Sequence, residues 1–398
     1  MKVLVLCNRV PYPPSDGGAI AMYNGLKSIK MNADVLALFA LNTKKHYQSA
    51  QQIQNAFHDL AEVYTADIDT SIRIKDALLN FFGKSSYNVD RFYSKSAEEK
   101  LIQILQSQSF DVVQFETLFV CPYIDTVRKY SNAKLVYRAH NVESQIWYRL
   151  AQSSSGIKKW YLNFLAKRIE QYESKALEHV DLILPITNID QKYFQKTYSE
   201  IPSQVLPVAL DLKSFQEEQL SDKIEFESNS IFHIGSLDWR PNVDAVEWLI
   251  QEVFPLVQQK NQNCQLYIAG KNTPTHLYKF TTQNIHILGE VQHAKDFMLS
   301  KNIMLVPLLS GGGMRVKIIE GMALGKVIIT TSIGAEGIPC EHMKNIIIAD
   351  DAKSFANAIE WTLDHPQECK NISEQAKLFA SSYDLKVQAE KIKELYQL

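Results

Sequence analysis

Short apolar runs of strand length, separated by stretches with helical spacing, recur from one end of the chain to the other. That alternation specifies parallel α/β architecture, because parallel strands need crossover connections and the crossover helices cover both faces of the sheet. In the first half, residues 2–6, 35–41, 112–115, 135–139 and 182–186 are predicted strands. Helices are predicted over 20–29, 72–82, 97–106 and 157–177. The pattern restarts with strands at 231–234, 265–269, 285–288, 303–307, 327–331 and 346–349, a helix near 243–257, and terminal helices. Between the halves, residues 211–229 are rich in Glu, Gln, Ser, Asp and Lys and read as a linker. The chain has 398 residues, and domains run to roughly 150, so two are expected. They span residues 1–215 and 216–382, and residues 383–398 form a closing helix.

Bulk properties remove several function classes. A net charge of -2 gives no electrostatic case for nucleic acid. Five cysteines stand apart with no CxxC pair, which suits a reducing cytoplasm. The apolar run at residues 2–7 is too short for a signal peptide and reads as a buried first strand. No run approaches the roughly 18 apolar residues of a membrane span, so a cytoplasmic protein is expected. HExxH, Cys/His clusters, GxxxxGK[ST] and GxSxG are all missing, so zinc, P-loop and serine-hydrolase chemistry find no support. Asp67-Ile-Asp69 matches the DxD of metal-dependent transferases, but it stands far from the glycine loops and reads as a chance tripeptide.

The chemistry concentrates in residues 310–325, Ser-Gly-Gly-Gly-Met-Arg-Val-Lys-Ile-Ile-Glu-Gly-Met-Ala-Leu-Gly. Gly311, Gly312 and Gly313 leave a strand and lead into a helix, where glycine permits unusual backbone angles and close ligand approach. The unpaired N–H groups and positive dipole end of the helix make an anion site. Arg315 and Lys317 stand in its first turn, where cations are disfavoured unless a polyanion binds. Glu320 lies among Ile318, Ile319, Met322 and Ala323, where an unpaired carboxylate is costly. A phosphate-bearing ligand whose hydroxyls are gripped by Glu320 meets both conditions.

The first half offers weaker signals. Asn8–Gly18 joins the first strand to a helix and ends in Gly17 and Gly18, a second glycine turn at a strand's carboxyl end. It lacks GxGxxG, which argues against a nicotinamide Rossmann site. His140 falls at a strand end beside Arg138, Asn141 and Glu143, where an imidazole can bond a sugar hydroxyl, and Glu116 ends another strand. Residues 71–82 and 157–168 mix bulky apolar and basic side chains. Such helices can lie in a membrane interface, although helices packed on their own domain share that periodicity.

Taken together, these stretches resemble the GT-B-fold glycosyltransferases, and more narrowly the retaining family 4 enzymes of bacterial polysaccharide synthesis. The likeness runs nearly end to end. It is strongest at residues 13–18, 140–144, 235–242, 310–325 and 331–337. It implies two doubly wound Rossmann-like domains facing across a cleft, with the last helix crossing back onto the first. The second domain would hold a nucleotide-sugar donor and the first a glycan or lipid-linked acceptor, with possible peripheral contact at the cytoplasmic membrane face. Glu320 matches the second glutamate of the family's E-x7-E motif, which bonds ribose hydroxyls, but Gly312 stands in place of the first. Main-chain groups of Gly312, Gly313 and Met314, or another side chain, would then hold the sugar. The family's Arg and Lys in the first loop of the second domain are missing too, their places taken by Ser236 and Asn242. Arg315 and Lys317 are expected to supply that charge, with Arg240 a lesser candidate. By the same resemblance Gly17, Gly18 and Gly235 approach the donor, His140 contacts its sugar, and Gly289 and Val291 line the base pocket.

The expected reaction moves a sugar from a nucleoside diphosphate, UDP by family frequency with GDP as the alternative, to a hydroxyl with retained configuration. His140, Arg315, Lys317 and Glu320 form its catalytic set, with no cofactor and no metal. Two rivals remain: a nucleotide-sugar epimerase of GT-B shape, which would convert donor alone, and a degenerate transferase serving as a binding subunit, suggested by Gly312.

Overall fold

The computed structural model describes residues 1–72, 86–217 and 225–397. They form two compact units, Met1–Ala209 with Leu385–Leu398, and Leu210–Asp384.

The first unit carries a parallel sheet of β1 (Lys2–Cys7), β2 (Val35–Thr43), β3 (Glu62–Ile68), β4 (Val112–Glu116), β5 (Lys134–Ala139) and β6 (Leu182–Pro185). Their order is β3-β2-β1-β4-β5-β6, so the winding reverses between β1 and β4. Its described helices are α1 (Gly17–Lys30), α2 (Ala50–Phe57), α3 (Tyr87–Asp90), α4 (Lys95–Ser107), α5 (Ile124–Tyr130), α6 (Glu143–Gln152), α7 (Gly156–Leu177) and α8 (Asn188–Thr197). Separate apolar clusters fill the two faces of the sheet, which is why β1 and β2 read as continuous hydrophobic runs. The edge strand β3 and helix α2 were not predicted. β3 buries only Ala66 and so lacks a strong apolar signature. For α2 the sequence does hold a signal, since Ser49 and Gln52 form a capping box.

The second unit repeats the plan with β7 (Glu227–Ile234), β8 (Gln265–Ala269), β9 (Ile285–Gly289), β10 (Lys301–Val306), β11 (Val327–Thr330) and β12 (Ile347–Ile348). The order is β12-β11-β10-β7-β8-β9, reversing between β7 and β10. Helices α9 (Leu212–Glu217), α10 (Arg240–Trp248), α11 (Phe254–Lys260), α12 (Ala294–Ser300), α13 (Val316–Ala323), α14 (Ala352–Asp364) and α15 (Pro366–Ser381) complete it. The expected single helix over 243–257 is instead two, joined by a π turn at Leu249–Val253. Pro255 lacks an N–H and stands in the first turn of α11, and the wider turn lets the backbone continue past it. The expected linker is structured in part, because Leu212–Glu217 is helical and Glu227 already belongs to β7.

The chain enters the second unit at Leu210 and leaves it at Asp384, and the two crossings run side by side with Leu210 N–H donating to Tyr383 C=O at 2.7 Å. The closing helix α16 (Leu385–Gln397) returns to the first unit, as the resemblance implies. Ser28 Oγ and Asn32 Nδ2 of α1 donate to its Leu385 and Ala389 carbonyls at 3.2 and 2.8 Å. The predicted helix over 72–82 lies almost entirely outside the described residues.

Candidate functional site

Ligands of open α/β sheets bind beyond the carboxyl ends of the strands, where the winding reverses. In the second unit that point lies between β7 and β10. Gly235 directly follows β7, and β10 runs on toward the triple-glycine loop. Gly311 and Gly313 there have φ of 115° and 79°, a region that favours glycine.

Helix α13 then begins at Val316 with Arg315 at its N-cap. Arg315 is buried, and its Nη1 donates to the carbonyls of Gly312 and Gly313, while its guanidinium lies 5.4 Å from the Trp239 ring centroid. The cation therefore braces the loop that leads into its own helix. A Cβ on Gly311 would stand 3.0 Å from both Arg315 Nη2 and Trp239, a tight contact that adds to the strain any other residue would meet at φ 115°.

Lys317 reaches across to β7. Its Nζ donates to Ile234 C=O at 3.1 Å and to Asn242 Oδ1 at 3.0 Å, and Asn242 Nδ2 donates to Ser236 C=O at 2.8 Å. A Cβ on Gly235 would come within 2.9 Å of that ammonium. Burial pushes Lys317 down to about 7, Arg315 adds to the shift, and Glu320 opposes it. One helical turn on, burial pushes Glu320 up to about 7 against the pull of Lys317. No hydrogen bond to the Glu320 carboxyl occurs among the described residues. Both groups are poised near neutrality, one turn apart on one face, as in sites that bind charged ligands.

His233, in β7 and two residues before Gly235, escaped the sequence reading. It is fully buried, and its Nδ1 lies 2.9 Å from Leu305 C=O, so Nδ1 carries the proton. Nε2 has no partner among the described residues. Burial and the Lys317 charge hold the imidazole well below its usual range, so a neutral ring sits against the cation. Its only signal in the sequence was a polar residue inside an apolar strand.

Other expected residues fall further out. Gly289 ends β9 with φ 72° and its carbonyl accepts from Gly270 N–H at 2.7 Å, at the same sheet edge. Val291 is half-buried just beyond. Arg240 is exposed and paired with Asp244 on its own helix at 2.7 Å, not joined to Arg315 or Lys317.

In the first unit, Gly17 and Gly18 open α1 after β1, beside the reversal point. Asp16 caps that helix by accepting from Ala19 N–H and pairs with Arg9. His140 follows β5 and lies 2.5 Å from Glu116, at the end of β4. The polar cluster expected around His140 divides in two. Arg138 keeps its Nε 3.8 Å from Glu116 while its Nη atoms donate to the Leu206 and Pro207 carbonyls, whereas Glu143 is pushed up to about 7 by burial, and Glu173 is pushed up to about 8, first by burial and then by repulsion from Glu143. Asp67 of the DxD accepts from Asn42 at 2.9 Å and Asp69 from Ser71 N–H at 2.9 Å, so both serve local structure.

Known structures share this architecture. HepE of Anabaena, solved with UDP, superposes with a TM-score of 0.67 at 15% identity over 100% of both chains. Sucrose-phosphate synthase of Thermosynechococcus elongatus gives 0.70 at 13% identity, covering 100% of this chain and 98% of its own. The fold is that of the GT-B glycosyltransferases. Residues 228–365, which contain the glycine loop, Lys317 and Glu320, match the family model described as glycosyl transferases group 1. An uncharacterized 44.6 kDa protein in the cps region of Klebsiella pneumoniae is 21% identical over 385 residues, 90% of each chain.

Proposed function

We propose that the protein is a glycosyltransferase that moves a sugar from a nucleoside-diphosphate donor, UDP in the first instance, to an acceptor hydroxyl with retained configuration. The observation that carries this reading is the juxtaposition of Lys317 Nζ with the end of β7 and of Glu320 one turn along α13. An ammonium and a helix N-terminus suit a diphosphate, and a carboxyl that accepts no hydrogen bond among the described residues suits ribose hydroxyls. HepE is solved with UDP-glucose as well as UDP, and the group 1 family match lies within this unit, at residues 228–365. The cps-region relative supports a place in surface-polysaccharide synthesis.

In this reaction the acceptor oxygen bonds to the anomeric carbon as the carbon–oxygen bond to the diphosphate breaks. The acceptor's proton passes to the leaving phosphate oxygen. Lys317, Arg315 and the amides of Gly312 to Met314 stabilise the charge that grows on the leaving group, which lowers the barrier because it is largest in the transition state. The reading gives that task to fixed cations instead of a metal, so chelators should leave turnover unchanged.

The first unit takes the acceptor, and α7 suits one embedded in lipid. Ile157, Trp160 and Tyr161 are exposed at 85%, 59% and 40%, beside exposed Lys158 and Lys159. Such a surface fits an anionic bilayer.

Calorimetry with UDP, GDP and ADP tests the core of the reading. One diphosphate should bind the wild type, and Glu320→Ala should weaken it about 10- to 100-fold, a loss of ~1.5–3 kcal/mol for hydrogen bonds to a charged group. Binding of none of the three would remove the assignment.

A further inference from the structure

Glu116 is 1% exposed and sits at the centre of an ordered polar chain in the first unit. Its Oε2 lies 2.5 Å from His140 Nε2, and its Oε1 accepts from Gln114 Nε2 at 2.6 Å. A carboxylate accepts hydrogen bonds and donates none, so both facing nitrogens carry protons. Gln114 is thereby oriented, with Oε1 turned to the Tyr396 hydroxyl, which donates to it at 2.7 Å. Tyr396 comes from α16, more than 250 residues along the chain from Gln114. Burial and the nearby Glu116 charge push its phenol up, so the hydroxyl keeps its proton and remains a donor. Arg138 supplies the counter-charge without taking the oxygen that faces His140. Its Nε is 3.8 Å from Glu116 Oε1, while its Nη atoms donate to Leu206 and Pro207 carbonyls at 2.9 and 3.1 Å.

Apolar side chains of the same shape would stabilise this interior at least as well as buried ions and amides. What the chain of polar groups does physically is set a tautomer, because the hydrogen bond at one imidazole nitrogen decides which nitrogen is protonated. We propose that Glu116, held by Gln114 and by Tyr396 of the closing helix, positions His140 so that Nε2 keeps the proton and Nδ1 stands as acceptor for a substrate hydroxyl. Glu116 and Tyr396 are positioning residues, and α16 thereby becomes part of the site. The substrate role of Nδ1 rests on the glycosyltransferase reading, but the tautomer does not.

The test uses the full chain with Glu116→Gln and Tyr396→Phe. Nitrogen NMR, with the His140 signal assigned from His140→Gln, should show protonated Nε2 and bare Nδ1 in the wild type. Glu116→Gln should mix the two tautomers, because a carboxamide can donate as well as accept, and Tyr396→Phe should shift the balance the same way by less. UDP affinity should stay unchanged in both. Consumption of a panel of UDP-glucose, UDP-galactose and UDP-N-acetylglucosamine should fall about 10- to 100-fold in kcat with little change in KM, taking the range known for carboxylates that orient metal-ligating histidines as the guide. Protonated Nδ1 in the wild type, or an unchanged tautomer in both variants, overturns the proposal. If Glu116→Gln does not fold, Tyr396→Phe, which loses one hydroxyl, still decides it. A wild type that consumes no nucleotide sugar would count against the glycosyltransferase reading alone, since the NMR result stands apart from turnover.

Discussion

At the scale of single residues, the pair Lys317 and Glu320 makes a prediction with a definite sign. Both are held near 7, the lysine by a downward and the glutamate by an upward shift, each caused first by burial. A bound diphosphate favours the charged ammonium, so above pH 7 nucleotide binding should draw a proton onto Lys317. Ribose hydroxyls favour the ionised carboxylate, so below pH 7 binding should release a proton from Glu320. Calorimetry of UDP in buffers of different ionisation enthalpy should therefore show release near pH 6, uptake near pH 8 and a crossing near 7. A proton count of zero at both ends would mean that neither group meets the nucleotide. The same shifts govern stability without ligand. Glu320 makes folding less favourable as pH rises from its unfolded value toward 7, and Lys317 makes it more favourable as pH rises from 7 toward 10.5, so their joint contribution is poorest near neutrality. The glycines, Lys317 and Glu320 were legible because they lie within ten residues of one another in the sequence. Ile234 and Asn242, which hold Lys317, stand 83 and 75 residues away. Only the β7–β10 pairing brings them to it.

At the scale of elements, legibility followed burial. β1 and β2 are covered on both faces and appear in the sequence as near-continuous apolar runs, whereas β4, equally buried, shows only as Val112, Val113 and Phe115 around the polar Gln114 and Glu116. β3 lies at an edge, half-exposed, and leaves no such trace. The helix predicted over 157–177 spans Gly156–Leu177, yet its spacing alone could not say which face is left to solvent. Its first turns leave Ile157, Trp160 and Tyr161 exposed beside two lysines, and Trp160 stacks on Phe164 at 6.0 Å. Burying a large apolar side chain is worth roughly 1.5–3 kcal/mol, and a surface lysine adds about 1 kcal/mol at an anionic leaflet. The protein should therefore float with vesicles containing phosphatidylglycerol and stay behind with pure phosphatidylcholine. Ile157→Ser with Trp160→Ser should lower the bound fraction at least tenfold by the same arithmetic, with UDP affinity kept. Equal recovery of wild type and double variant would end the lipid assignment for α7.

At the scale of the whole molecule, the first unit is discontinuous. Its interior is completed by α16, which buries Leu385, Ala389, Ile392, Leu395 and Tyr396 after the entire second unit has intervened. Ile392, Leu395 and Tyr396 join the same apolar cluster as Val3, Val5 and Leu26. The large apolar side chains among these each stabilise by roughly 1.5–3 kcal/mol, and a domain's net stability is only about 5–15 kcal/mol. Removing the helix should thus cost the first unit most of its margin, while the second, continuous from Leu210 to Asp384, keeps every strand of its sheet. A chain stopped after Asp384 should lose one calorimetric transition, or show it shifted far down, and keep the other. If the second unit holds the nucleotide, UDP should raise the surviving transition by mass action. Two transitions at unchanged temperatures would show that α16 adds little to the first unit's stability. A surviving transition insensitive to UDP, in a chain whose full-length form binds it, would move the nucleotide site off the second unit.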